Sequence, residues 1–443
     1  MSEPQVPSSV SDIPSLLERA RSLSQAGTWA EAAHVYARVL QDVPEHPEAL
    51  GFLGSMALNR GEFARSIEYF RRALRVTPAD AALHKNLGLA LRAVGAFDEA
   101  LASFDAALAN QPEFPVALLN KGALLEQMGQ GGQAVPVYLE ALAQADKAGL
   151  LANRDMPAGI RTLLQRASSL TREARMNWIH EVLAPVRARY PAEALARVDR
   201  CLAQHFSGTP AVSPDPMQKP TFLTFPDIPA RAWFERSEFP WLETVERQFP
   251  AIRAELMEVL RGDEGFRPFV DIDKSHPGAA YWEGVNQSPS WNAFFFYRDG
   301  ERFEDNCRRC PVTAAALDAM PINRVADHSP EAFFSVLKPG AHIPPHTGVV
   351  NIRLVTHLPL VIPPDCSLRV GNETRSWKEG ECIVFDDTFE HEAWNRSDRT
   401  RVVLIFDIWN PYLTPPEQDA MRAVIEGLSA FRRHHGQLQE MPG

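Results

Sequence analysis

Hydrophobic positions in the first third of the chain recur with a helical spacing, and the helices themselves recur in blocks. Gly27, Gly61, Gly95 and Gly129 stand 34 residues apart, as do Tyr36, Phe70, Phe104 and Tyr138, then Pro44, Pro78 and Pro112, and Gly54, Gly88 and Gly122. Four columns in one register predict stacked helix pairs over residues 12–148. Residues 149–206 continue as a helical connector, with helix spacing in 172–184 and 192–205, and Pro185 and Pro191 are expected to punctuate the gap between those segments. Residues 207–220, SGTPAVSPDPMQKP, read as a linker. The period then changes. Short apolar runs (FFFY at 294–297, FFSVL at 333–337, LPLVI at 358–362, CIVF at 382–385, VVLIFDIW at 402–409) separated by proline and glycine turns predict a sandwich, barrel or jelly roll over 221–415. Residues 416–443 read as a C-terminal helix and tail, with Met421, Val424, Ile425, Leu428 and Phe431 on one face.

A 34-residue period is that of the tetratricopeptide repeat. Its physics suits these columns. Glycine in the first helix of a pair lets the aromatic of the second approach closely, and proline after the second helix starts the next unit. Each pair buries its face only against its neighbours, which gives a curved stack with a concave groove. Such a groove is expected to hold a peptide or protein, with dimerisation or capping of the C-terminal domain as the alternative. Gly131, Gly132 and Pro136 fall where the second helix of the fourth repeat should run and suggest a degenerate end repeat.

Composition adds exclusions. A net charge of −11 argues against broad binding to nucleic acid or an anionic membrane. No stretch approaches the roughly 18 apolar residues of a membrane span. The polar start, with residues 1–11 read as a disordered tail, shows no signal peptide, so the expected location is the cytoplasm. The five cysteines are too few and odd in number for a disulfide framework. Cys307 and Cys310 form a CxxC without a second pair, which is read as reduced thiols more readily than as a metal or redox site.

Candidate chemistry concentrates in residues 338–409, which hold His342, His346, His357 and His391. Many non-heme iron oxygenases hold the metal with two histidines and a carboxylate, leaving positions open for cosubstrate and oxygen. His346 fits the first histidine, His391 the distal one, and Arg401 the basic residue that pairs with 2-oxoglutarate. The residue two after His346, where the carboxylate is expected, is Gly348. Alternation along strands puts Arg353, Val355 and His357 on one face, and Arg401, Val403, Ile405 and Asp407 on one face. An arginine heading so apolar a strand is costly to bury unless an anion meets it.

HIPPHTGVVNIRLVTHLPLVIP at 342–363, EGECIVFDDTFEHEAWN at 379–395 and RVVLIFDIWNP at 401–411 resemble the aspartyl/asparaginyl β-hydroxylase family. In that family glycine stands at the carboxylate position and two histidines hold the iron. The resemblance implies a double-stranded β-helix (jelly-roll, cupin-like) oxygenase domain behind an α-helical tetratricopeptide solenoid. It implies Fe(II) on His346 and His391, 2-oxoglutarate held by Arg401, His357 and Ser335, Trp291 lining the site, and molecular oxygen as co-reactant. Arg353 is offered as a contact to an acidic substrate. Asp387 is left as a substrate contact, an acceptor behind a ligand histidine, or a replacement ligand; His342 reads as structural. Val355 stands where animal members carry a second basic residue. The leading substrate is an aspartyl or asparaginyl residue of a peptide delivered by the repeats. A free amino acid or lipid-linked acyl chain, and a scaffold with an inactive oxygenase fold, are the alternatives.

Overall fold

The glycine and aromatic columns of the sequence meet in space. A Cβ added at Gly54 would lie 2.8 Å from the Phe70 ring, at Gly88 2.8 Å from Phe104, and at Gly122 2.5 Å from Tyr138. Only glycine lets these helices approach so closely, and each aromatic is fully or almost fully buried as a result. The computed structural model describes residues 12–153, 155–207, 209, 213–262, 264–273 and 279–436. The tail expected at 1–11 lies outside the described residues, as do 208 and 210–212 of the expected linker.

The repeats comprise α1 (Ile13–Gln25), α2 (Trp29–Asp42), α3 (Pro47–Asn59), α4 (Phe63–Val76), α5 (Ala81–Ala93), α6 (Phe97–Asn110), α7 (Pro115–Gln127) and α8 (Gly131–Lys147). The turn glycines Gly27, Gly61, Gly95 and Gly129 all take left-handed φ between +75° and +82°. The fourth repeat is not degenerate. α8 runs for 17 residues with Pro136 inside it and seats Tyr138 on Gly122 as the earlier pairs do. Pro136 is one turn in, where it removes a single backbone bond, and the buried face of Ala134, Tyr138 and Ala141 outweighs that loss.

Pro185 likewise fails to stop its helix. α9 (Ala158–Arg189) continues through it, and the break falls at Pro191, before α10 (Ala196–Phe206). The chain divides into two compact units inside α9. One holds the described residues up to Arg175 and from Arg432, the other Met176–Phe431.

In the second unit the elements are β1 (Trp233–Phe234), α11 (Leu242–Arg247), α12 (Phe249–Gly262), β2 (Arg267–Pro268), β3 (Trp291–Arg298), β4 (Glu301–Arg302), α13 (Glu304–Arg309), α14 (Pro311–Asp318), β5 (Ala332–Leu337), β6 (His342–His346), β7 (Arg353–Val361), β8 (Cys366–Val370), β9 (Glu373–Arg375), β10 (Ile383–Phe385), β11 (His391–Asn395), β12 (Arg401–Trp409) and α15 (Pro415–His434). An eight-stranded antiparallel sheet runs β1-β10-β7-β12-β5-β3-β2, with β4 on β3, and a four-stranded sheet runs β6-β11-β8-β9. Every apolar run singled out in the sequence falls on a strand of the larger sheet.

Strand alternation sorts the large sheet into two faces. Leu354, Leu358, Val402, Leu404 and Phe406 pack with α11, α12 and α14. Val355, Val403, Trp291 and Leu337 pack instead with Ile343, Leu368, Val370 and Ala393 of the small sheet. The two sheets thus enclose one core, and side chains on that inner face meet across it. α15 packs its predicted face on Ile179, Leu183, Val198 and Leu202, with the Trp178 indole donating to the Gly427 carbonyl at 2.9 Å. Among the described residues no helix is long and apolar enough to cross a membrane.

Residues 213–223 are tied down along the β-domain. Lys219 N donates to Thr388 O at 2.7 Å, Glu390 N to Met217 O at 3.0 Å, and Phe222 N to Val349 O at 2.9 Å. Proline and small polar residues mark a chain without its own secondary structure, and here that chain borrows backbone partners from its neighbours.

Candidate active site

His346 ends β6 and His391 opens β11, and the two are Cα partners in the register of the small sheet. Their ring centroids are 4.0 Å apart. Each ring is fixed in the same way: His346 Nδ1 donates to Pro344 O at 2.8 Å and His391 Nδ1 to Phe389 O at 3.0 Å. A carbonyl only accepts, so each Nδ1 carries a proton, and His391 makes a further bond to the Asp387 backbone. Burial pushes His391 down to about 4, and pushes His346 well down, helped by the neighbouring imidazole. Both rings are therefore neutral donors at ordinary pH, the state a divalent metal requires. Among the described residues no group of three or more histidine, cysteine, aspartate or glutamate side chains converges to hold a metal. Two imidazoles are what the fold brings together, and they fit a metal with several open positions.

Across the core, the large sheet supplies the second half of the site. Arg401 on β12 is 1% exposed. Its Nη1 reaches Ser335 Oγ on β5 at 3.3 Å and Ser335 O at 3.4 Å, and its Nε has no partner. Trp291 on β3 donates from Nε1 to Ser335 Oγ at 3.0 Å. The guanidinium carbon sits 4.9 Å over the Trp377 ring, and Trp377 Nε1 donates to His357 Nδ1 at 3.2 Å. Nδ1 of His357 is thus the acceptor, which leaves Nε2–H as a donor. Burial lowers Arg401 to about 10 and pushes His357 well down. A buried guanidinium with only neutral partners is costly, and a carboxylate placed against it would repay that cost. Arg401, His357, Ser335 and Trp291 therefore form one cluster. It joins the histidine pair through Phe385, whose ring lies 5.6 Å from His391 and 5.0 Å from His357, and through Trp291, 6.5 Å from His346.

Arg353 and Asp387 form the third part. A Cβ on Gly348 would fall inside the Asp387 carboxylate, so the acid that the chain lacks at 348 is met there by one from the turn before β11. Asp387 accepts from Arg353 Nη2 at 3.4 Å through Oδ2, while its buried Oδ1 has no partner. Arg353 Nη1 is bound by Asp407 of β12. The Asp387 carboxylate is not the acceptor behind either imidazole, because both Nδ1 protons go to backbone carbonyls. His342 lies on the outer face, its ring stacked 5.3 Å from Trp394 and its Nε2 2.9 Å from Glu392.

Sequence reasoning missed three residues here. Trp377 fixes both Arg401 and His357 but lies in a turn with no pattern of its own. Trp282 sets its ring against His346 at 5.2 Å from a segment without a strand signal. Asp407 was visible on the Arg401 face, yet nothing in one strand names its partner on another. Cys307 and Cys310 are buried free thiols, and burial raises both, Cys310 to about 12. Neither is poised as a thiolate.

In the repeat unit a groove of about 720 Å³ is lined by Trp29, Tyr36, Phe52, Ser55, Asn59 and Asn86, among others. Trp29 is 53% exposed at its edge.

A helical-repeat array with an antiparallel two-sheet domain carrying a paired-histidine site defines a class: repeat proteins with an appended two-sheet β-domain. Residues 246–411 match the aspartyl/asparaginyl beta-hydroxylase family, and residues 17–82 and 85–149 match the tetratricopeptide repeat. The chain is 36% identical over 185 residues to an ornithine lipid ester-linked acyl 2-hydroxylase of Rhizobium tropici, covering 41% of this chain and 62% of that one. It is 26% identical over 396 residues to the human aspartyl/asparaginyl beta-hydroxylase, covering 87% of this chain and 47% of the human one. The chain thus spans about half to three-fifths of these relatives. Among solved structures, that of MamA is similar at a TM-score of 0.30 and 22% identity, over 31% of this chain and 81% of MamA.

Proposed function

We propose that this chain is an Fe(II)- and 2-oxoglutarate-dependent hydroxylase acting on the β-carbon of aspartyl or asparaginyl residues in a peptide or protein bound by its repeats. The observation that carries the reading is the buried Arg401. Among the described residues no anion pairs with it, and it shares an inner face with two buried imidazoles whose ring centroids are 4.0 Å apart.

In this reading His346 and His391 hold the iron through Nε2, and the two backbone carbonyls behind them keep the rings oriented. Arg401 takes the far carboxylate of 2-oxoglutarate, with Ser335 Oγ and His357 Nε2 as further donors and Trp377 as a flat support. Trp291 fixes the Ser335 hydroxyl. When bound, the iron and its cosubstrate supply the oxidising power: 2-oxoglutarate and O₂ give succinate and CO₂, and one oxygen atom enters an unactivated C–H bond. The chain contributes ligation, orientation and a dry apolar wall of Val355, Phe385 and Val403. Arg353 and Asp387 border the space left for substrate. The groove of Trp29 and Phe52 in the repeat unit is the proposed peptide-binding surface.

The name of the Rhizobium relative, and the apolar Val355 beside Arg353, favour a second reading, in which the substrate is an acyl chain. Succinate formation from 2-oxoglutarate by purified protein with Fe(II) tests the chemistry. It is expected to be lost in His391→Ala, and its absence under every substrate would leave a repeat scaffold. Replacing Trp29 by Ala is expected to weaken peptide turnover alone; equal loss on small substrates would count against peptide delivery by the groove.

A further inference from the structure

Arg353 is the basic residue that the sequence offers to an acidic substrate. In the fold its charge is already used. Nη1 is bound by Asp407, Nη2 faces Asp387 Oδ2 at 3.4 Å, and the field of Glu331 also acts on it. One cation therefore meets two buried carboxyls. If both are ionised the cluster is net negative. If burial, which raises both, keeps a proton on one, it is neutral. In neither state is positive charge left over.

No neighbour makes up the deficit. Arg401 is given to the cosubstrate, and Arg369 is held by Glu390 at 2.9 Å and Glu392 at 2.5 Å. The position between Arg353 and His357 on the same face is Val355, buried opposite Phe385. What the cluster does have to spare is one donor and one acceptor, for Arg353 Nε and Asp387 Oδ1 are both buried without partners. Asp387 Oδ1 is buried without a hydrogen-bond partner, on the residue that fills the side-chain space of Gly348, two after His346. A carboxamide matches both, its C=O accepting from Arg353 Nε and its N–H donating to Asp387 Oδ1, whereas a second carboxylate could meet only Nε and offers no N–H or O–H at neutral pH.

We infer that the reacting side chain is asparaginyl, not aspartyl: its carboxamide N–H donates to Asp387 Oδ1 and adds no negative charge beside the Arg353–Asp387–Asp407 cluster. This rests on the peptide-hydroxylase reading above and narrows its substrate to an uncharged side chain.

The test compares two randomised nine-residue peptide libraries, identical except for a fixed central Asn or Asp. The full chain is supplied with Fe(II), 2-oxoglutarate and O₂, and mass spectrometry reads the gain of one oxygen atom at the centre. About tenfold or more product from the Asn library is expected, because like-charge juxtaposition is costly in a desolvated site. Equal or greater product from the Asp library overturns the inference while leaving the hydroxylase reading intact. No product from either ends the peptide reading and this inference together. Peptides that react are then resynthesised as Asn/Asp pairs and their affinities compared without oxygen, so that binding is read apart from turnover; tighter Asp binding overturns the inference. Finally, Asp407→Asn, which keeps the shape and frees the Arg353 charge, is expected to raise the Asp/Asn product ratio about tenfold. An unchanged ratio would remove the charge argument.

Discussion

The Asp387 carboxylate occupies the volume that a side chain on Gly348 would need, and Gly348 N donates to the Asp387 backbone carbonyl at 2.6 Å. The turn before β11 and the end of β6 are thus locked together two residues after His346. Gly348→Ala forces the carboxylate aside and is expected to destabilise the chain by about 1–3 kcal/mol, the usual cost of overpacking. Gly348→Asp alone should cost more, since it also adds a third carboxyl to the two that already face Arg353. The swap Gly348→Asp with Asp387→Gly should recover most of that loss. Urea unfolding of Gly348→Asp, Asp387→Gly and the double variant closes the cycle, and a double variant whose loss is the sum of the two single losses would mean the two positions are independent.

His346 and His391 are pushed to low pKa by burial, so protons compete poorly for them. In the metal-free chain the unfolded state takes up protons near pH 6.5 and the folded His391 only near 4. The sign follows: stability contributed by the neutral rings is present above about pH 6.5 and is lost as pH falls towards 4. Metal affinity should be nearly flat from about pH 7.5 to 5.5, whereas an exposed histidine pair would lose about 100-fold over that interval. Competition titration with Zn(II) or Co(II) reads this directly, with His346→Ala and His391→Ala each expected to abolish tight binding. A steep loss of affinity centred near pH 6.5 would contradict the buried geometry.

Much of this was legible because it depends on period and alternation. The 34-residue columns, the strands at 294–297, 333–337 and 402–409, and the shared face of Arg401 and Val403 follow from local spacing alone. The misreadings share one cause. Pro136 and Pro185 were expected to interrupt helices that tertiary burial carries through, and residues 213–220 looked like a free linker because their partners, Thr388 and Glu390, lie far away in sequence. The pairing of Arg353 with Asp407 is of the same kind: strand register brings residue 353 of β7 opposite 409 of β12, and no pattern within either strand announces it.

Among the described residues Arg401 is the largest fully buried side chain, and none of them gives it a counter-charge. Replacing an uncompensated buried cation by an apolar residue of similar length removes a desolvation cost. Arg401→Met is therefore expected to be more stable than the parent by about 1 kcal/mol or more without 2-oxoglutarate, and to lose all response to it. The parent should gain about 2.7 kcal/mol at a hundredfold excess over Kd. Calorimetric melting of both proteins with and without 2-oxoglutarate decides the point, and a variant still stabilised by 2-oxoglutarate would relocate the anion site.

Gln218 reaches from the segment 213–220 into the turn that carries His391. Its Nε2 donates to Asp386 Oδ2 at 2.9 Å, while Thr388 N and Oγ donate to Oδ1 at 2.9 and 2.5 Å. Burial raises Asp386 to about 7, against an ordinary 3.8. A carboxyl raised on folding contributes stability below pH 3.8, and that contribution is lost as pH rises through about 7. Gln218→Ala removes a donor to the ionised form, so Asp386 should titrate higher still. The expected cost is about 1–3 kcal/mol at pH 8, smaller at pH 5 where the carboxyl is already protonated. The same variant should bind Zn(II) more weakly, because Asp386 orders the turn five residues before His391. Unfolding free energies at the two pH values, together with the metal titration, distinguish a positioning role from a packing one: a loss of equal size at both pH values, with metal affinity untouched, would mean that Gln218 only fills space.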